Sequence, residues 1–158
     1  MAEFAGNEEP RPILPGVRGL YGRLVEFHWP LIRVTAGVIL LTHGWPKLMA
    51  GAQVVAANTL AKRGIEPALA LAYALMFIET IGAVCIALGL LTRPFAVAAL
   101  VEFGVIIYHH LPNGYAWIDR GYEYPLFWGL ILLAIALRGG GPYSLDRAIG
   151  RVLNSVIV

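Results

Sequence analysis

The sequence predicts an all-α membrane protein: a four-transmembrane-helix bundle with short interfacial helices at the N- and C-termini. Two observations carry this. The 158 residues are 58% hydrophobic and 14% charged, with a mean hydropathy of +0.69, more apolar surface than one small soluble core can hide. That surface is sorted into blocks close to the ~20 residues of a bilayer crossing. Disorder and a soluble enzyme domain are excluded. The lone Cys85 excludes an internal disulfide and any multi-cysteine metal site. A net charge of +2, with twelve scattered Lys and Arg residues, speaks against a nucleic-acid partner.

Taken in order, residues 1–15 read as a flexible charged tail without the pattern of a cleavable signal peptide, so that the first helix inserts uncleaved. Over 16–30, Val17, Leu20, Tyr21, Leu24 and Val25 recur at helical spacing while Arg18, Arg23 and Glu26 fall elsewhere. This predicts an interfacial amphipathic helix, with Pro30 turning the chain inward. The transmembrane domain, 31–138, holds spans at Leu31–Ala50, Ala68–Leu91, Phe95–Leu111 and Tyr122–Leu137. The fourth is short, and Tyr122, Tyr124 and Trp128 at one end and a snorkelling Arg138 at the other extend it into both interfaces. Leu91-Thr92-Arg93-Pro94 forces spans two and three into a hairpin.

On the opposite side, Gln53–Ile65 suits a short interfacial helix ended by Gly64. Pro112–Glu123 concentrates Tyr115, Trp117 and Tyr122, which suit headgroup anchors or else a lid or partner surface. Gly139-Gly140-Gly141-Pro142 ends the fourth span. The remainder of 139–158 forms an amphipathic surface segment, capped by Ser144, with Leu145, Ala148, Ile149, Val152 and Val156 on one face. Outside the spans, Arg11, Arg18, Arg23, Arg93, Arg138, Arg147 and Arg151 lie on one side against Lys62, Arg63 and Arg120 on the other. The positive-inside bias puts both termini in the cytoplasm.

Ionisable groups within a span cost roughly 2.5–3.5 kcal/mol each at the midplane, so each needs a partner or a use. Arg33, in the first turn of span one, is expected to snorkel to the interface. His43 and Lys47, four apart, share a face, and so do Glu102 and His109, seven apart. Antiparallel packing then brings His43, Lys47, Glu79, Glu102 and His109 to one half of the bundle as a candidate polar pocket. Three uses compete. Lys47 with Glu79 or Glu102 can be an ion pair that only fixes packing. Two His and two Glu can ligate a divalent metal, but the Glu-x-x-His spacing of carboxylate-bridged bundles is absent, with Gly82 and Val105 three residues after the glutamates. No metal site is assigned. The third use is proton and quinone chemistry beside aromatic residues such as Trp45 or Tyr108.

Gly37, Gly44 and Gly51 in span one and Gly82 and Gly89 in span two repeat at seven residues, stripes that let helix backbones approach closely.

The chain also resembles a DoxX-family membrane protein. The residues that carry the likeness are Thr42-His43-Gly44-Trp45-Pro46-Lys47-Leu48, Ile78-Glu79-Thr80-Ile81-Gly82, and Leu88-Gly89-Leu90-Leu91-Thr92-Arg93. Glu123-Tyr124-Pro125 and Gly141-Pro142-Tyr143-Ser144-Leu145-Asp146 complete it. The resemblance implies a four-helix protein of a bacterial-type inner membrane. Members and relatives are linked with respiratory-type complexes, among them a thiosulfate:quinone oxidoreductase subunit and an accessory protein of methylamine oxidation, and with redox stress. His43, Lys47 and Glu79 transfer as motif positions, without a general catalytic role.

The expected function is therefore a small subunit or accessory protein of a membrane oxidoreductase assembly, not catalytic alone, with quinone supplied by a partner complex. Its expected partners are the lipid bilayer and other membrane subunits or a second copy of itself. A small-solute or proton transporter and a purely structural subunit are the alternatives.

Overall fold

The computed structural model describes residue 16 and residues 18–157. The tail expected over 1–15 lies outside the described residues, among which the structure is helical and contains no strand. Helix α1 (Arg18–Leu24), a 3₁₀ turn at Val25–Phe27 and α2 (His28–Ala50) run on as one helical stretch. The turn expected at Pro30 does not occur. Pro30 falls in the first turn of α2, where a missing N–H costs little, so the helix continues through it.

A short helix, α3 (Ala52–Val55), continues through helical turns to Arg63 and is closed by Gly64 at φ 68°, as the composition of that loop leads one to expect. The next long helix consists of α4 (Ala68–Phe77), a π turn at Ile78–Gly82 and α5 (Ala83–Leu88). It is followed by α6 (Thr92–His110), α7 (Glu123–Arg138) and α8 (Leu145–Ile157).

Among the described residues, three helices are long and apolar enough to cross a membrane: Gly19–Ala50, Ala68–Leu88 and Thr92–Asn113. The expected fourth, α7, has 16 residues and falls short of them, because the chain breaks at Gly139 with φ 77°. It packs along α6 all the same, with Trp128 stacked on Phe103 at 5.9 Å between ring centroids. The interior is built from small residues that let helices close up and large ones that fill between them. Ala83, Ala96 and Ala99 are fully buried, and so are Ile86 and Ile135. Outward, Val38, Val101, Leu130 and Leu137 are 49–72% exposed, an apolar surface suited to lipid.

The glycines act locally. A Cβ on Gly37 would stand 2.5 Å from the Ala83 carbonyl oxygen, and one on Gly82 would stand 2.8 Å from the Phe95 ring, so both are points of close helix contact. Gly89 does something else. At φ 71° it ends α5 in the left-handed region, and a Cβ there would strike the Arg33 guanidinium.

Arg33 does not snorkel. It is 2% exposed and donates to the carbonyls of Ile86 at 3.2 Å and Tyr143 at 3.1 Å. The end of α5 leaves carbonyl groups that need donors, and a buried guanidinium supplies them while tying the segment before α8 to the bundle. Trp29 Nε1–H donates to the Gly139 carbonyl at 3.0 Å at the same end. There, too, the Tyr143 hydroxyl donates to Glu26 at 3.0 Å and its ring stacks on Phe27. Glu26, as bond partner and as charge, pushes the Tyr143 phenol above its ordinary pKa.

Candidate functional site

The site forms where two helices depart from regular geometry. In α2, Pro46 has no N–H to donate, so the turn just before Lys47 is loosened. In the facing helix, Glu79 lies inside the π turn Ile78–Gly82, an irregularity common at functional sites. Gly44 lets the two elements meet. A Cβ at Gly44 would overlap the Glu79 backbone, 2.5 Å from its carbonyl carbon.

This approach brings Lys47 Nζ to 2.5 Å from both oxygens of Glu79. The Glu79 side chain is 4% exposed and that of Lys47 26%, so the carboxylate is the enclosed partner and the ammonium the accessible one. Glu102 on α6 is buried beside the pair, near enough to feel the charges of Glu79 and Lys47. Neither of its carboxyl oxygens has a hydrogen-bond partner among the described residues.

A cavity of ≈ 320 Å³ opens beside the ion pair. Its polar wall is made by His43, Lys47, Glu79, His110 and Arg120, and its aromatic wall by Phe103, Trp117, Tyr124 and Trp128. His43 Nδ1 lies 2.9 Å from the Ile39 carbonyl and His110 Nδ1 lies 2.7 Å from the Arg120 carbonyl. A carbonyl only accepts, so Nδ1 carries the proton in both rings, and Nε2 is left as the acceptor in the neutral imidazole. The loop before α7 is pinned back on itself by Tyr122 N–H to Gly114 O at 3.1 Å and Glu123 N–H to Tyr115 O at 3.0 Å. It thereby supplies Trp117 and Arg120 to the cavity.

Of the residues singled out in the sequence, His43, Lys47 and Glu79 share this cavity, and Glu102 adjoins it through Glu79. His109 does not line it. Its ring sits edge-on to Tyr108 at 5.5 Å, and its neighbour His110 takes the place expected of it. The reason is helical phase: Phe103, Ile106 and His110, spaced i, i+3, i+7, form the α6 stripe that faces the cavity. His109 follows the face of Glu102 instead. Trp45 and Tyr108, considered as aromatic neighbours, are 56% and 70% exposed and line no part of it. Sequence reasoning passed over Arg120, Tyr124 and Trp128 as site residues. The loop aromatics and the 103–106–110 stripe were the available signals.

Lys47 is thus a hydrogen-bond donor, Glu79 and two imidazole nitrogens are acceptors, and flat rings surround them within the apolar part of the molecule. This set can orient a planar polar ring or relay a proton. The family model described as DoxX matches residues 28–111, running from the start of α2 to the end of α6 and including both Lys47 and Glu79. No curated protein and no solved structure matches the chain. A match over more than half of the 158 residues, on a chain whose described residues include three apolar helices of membrane-crossing length, means that this membrane protein belongs to the DoxX family.

Proposed function

We propose that the chain is a small integral-membrane subunit or accessory protein of a respiratory-type oxidoreductase assembly in a bacterial-type inner membrane, and that its cavity holds a quinone ring. The supporting observation is the ≈ 320 Å³ cavity itself, aromatic on one wall and lined by Lys47, Glu79, His43 and His110 on the other. That volume falls within the range of small-molecule sites. Quinone oxygens accept hydrogen bonds from Lys47 and Arg120, and quinol hydroxyls donate to a histidine Nε2. Trp117, Tyr124 and Trp128 offer faces for the ring. Electrons come from a redox centre in a partner subunit, since this chain has one cysteine and no nucleotide-binding glycine loop.

In this reading α7 is a fourth crossing. Its 16 residues span about 24 Å, and Tyr124 and Arg138 extend their polar ends across the remaining depth. Helix α8 lies in the interface, α1 continues α2 to the cytoplasmic surface, and both termini are in the cytoplasm.

The test is titration of the protein in lipid nanodiscs with a short-chain ubiquinone analogue, read by tryptophan quenching. Saturable quenching that weakens about tenfold, roughly 1.4 kcal/mol, in Lys47→Met and His110→Ala supports the reading. Unsaturable quenching, identical in all variants, refutes it. Mass spectrometry of what co-purifies in mild detergent identifies the redox partner.

The buried carboxyl of Glu102 beside an ion pair favours a second reading, proton or small-solute permeation. Loss of flux in Glu102→Gln proteoliposomes, with quinone binding absent, distinguishes it.

A further inference from the structure

At the other end of α2 from Lys47, a second cavity of ≈ 650 Å³ lies between the start of α6, the Gly139–Pro142 link and the first turn of α8. Three arginines line it: Arg93, Arg138 and Arg147. None of them is paired with a carboxylate among the described residues.

The one carboxylate in the wall, Asp146, is already committed elsewhere. It accepts the Leu91 N–H at 2.7 Å, the Thr92 N–H at 3.0 Å and the Thr92 hydroxyl at 2.7 Å, capping the start of α6. Behind it sits the buried charge of Arg33. With three guanidinium groups against one carboxylate, the cavity carries a cationic excess.

Two of these groups are held in place by uncharged contacts. The Arg138 guanidinium lies 4.9 Å over the Trp29 ring. Arg93 donates to the Leu137 carbonyl at 3.5 Å, and a Cβ on Gly139 would meet its Nε at 3.0 Å. Gly139, Gly140 and Gly141 line the cavity, and their lack of side chains lets Arg93, Ser144 and Trp29 pack closely against the link.

We propose that this cavity binds a phosphoryl group, the planar forks of the arginines engaging its oxygens. The cavity sits between the end of α5 and the start of α6, beside the exposed apolar residues Ile149, Val152 and Leu153 of α8. That is the depth of lipid headgroups, so an anionic phospholipid and free phosphate are the two sources of the same chemistry.

The experiment uses the full chain purified in detergent and read by native mass spectrometry against phosphatidylglycerol and phosphatidylcholine. A parallel titration with inorganic phosphate is read by thermal shift. The variants are Arg93→Gln/Arg147→Gln and the charge-conserving Arg93→Lys/Arg147→Lys, with Arg138 left intact for its contact with Trp29. The expected result is about tenfold preference for phosphatidylglycerol, lost in the Gln pair and partly kept in the Lys pair. Saturable binding of inorganic phosphate that competes with the lipid, with the same variant pattern, supports a free-phosphate site. If neither probe binds wild type more tightly than the Gln pair while both proteins melt alike, the proposal is overturned. A Gln pair that does not fold transfers the comparison to the Lys pair and wild type, where equal binding of phosphatidylglycerol and phosphatidylcholine by both, with no saturable binding of inorganic phosphate, overturns it too.

Discussion

The Lys47–Glu79 pair is enclosed unequally, and the two ways of breaking it should therefore differ. Lys47→Met keeps the stem and removes the charge, leaving a carboxylate that is 4% exposed beside Glu102 without its ammonium partner. Removing one partner of a buried pair costs about 3–5 kcal/mol, and this variant belongs at the upper end. Glu79→Gln leaves an ammonium whose side chain is 26% exposed. It faces the cavity and retains an amide oxygen as acceptor. Its cost is expected at about 1–3 kcal/mol, nearer that of a lost hydrogen bond. The double variant carries neither charge of the pair and should be no less stable than Lys47→Met alone. The assay is unfolding in detergent followed by tryptophan fluorescence for the four proteins in a cycle. Quinone-analogue binding measured on the same samples separates the site from the scaffold, because the stable double variant should still lose binding. Equal damage from the two single changes, or costs that simply add, would refute the assignment of Glu79 as the enclosed member.

Gly44→Ala should cost at least about 1–3 kcal/mol by overpacking, since its Cβ overlaps the Glu79 backbone; a melting temperature equal to wild type would contradict the close approach. Arg33→Met should cost about 3 kcal/mol and release the C-terminal segment, seen as faster proteolysis between α7 and α8. His110→Ala should weaken quinone-analogue binding while His109→Ala leaves it unchanged, a direct check on the phase of α6. For Asp146, partial burial alone would raise the carboxyl, but hydrogen bonds from Thr92 and Leu91 and the charge of Arg33 outweigh it and hold the group below its ordinary 3.8. A depressed carboxyl contributes stability that is complete above that ordinary value and disappears as pH falls through the lower folded one. Docking of α8, followed by proteolysis, should therefore loosen below about pH 4, and Asp146→Asn should flatten this dependence.

Much of the architecture was legible because it depends on local composition. Long apolar blocks, the Leu91–Pro94 link and the terminator Gly64 are read within a few residues of themselves. The pairing of α2 with the second long helix was also within reach, since Gly44 and Glu79 belong to motifs that stand out along the chain. The errors have a common source in distance. Arg33 was expected in the interface because its own neighbours are apolar, whereas its partners are carbonyls 53 and 110 residues away. Pro30 was expected to turn the chain, but its place in the first helical turn, set by where α2 begins, makes it harmless.

The sequence by itself determined the solvent, the family and the presence of charges that apolar surroundings must accommodate, because hydropathy and short motifs are properties of the chain. Only the tertiary structure decided which charges meet and which face of α6 looks into the cavity. One residue along a helix turns a side chain by about 100°, so His109 and His110 are nearly equivalent in sequence and lie on different surfaces once α7 and its preceding loop have packed. The same holds for the π turn at Ile78–Gly82, whose extra residue becomes visible only when Gly44 is pressed against it and Lys47 reaches Glu79.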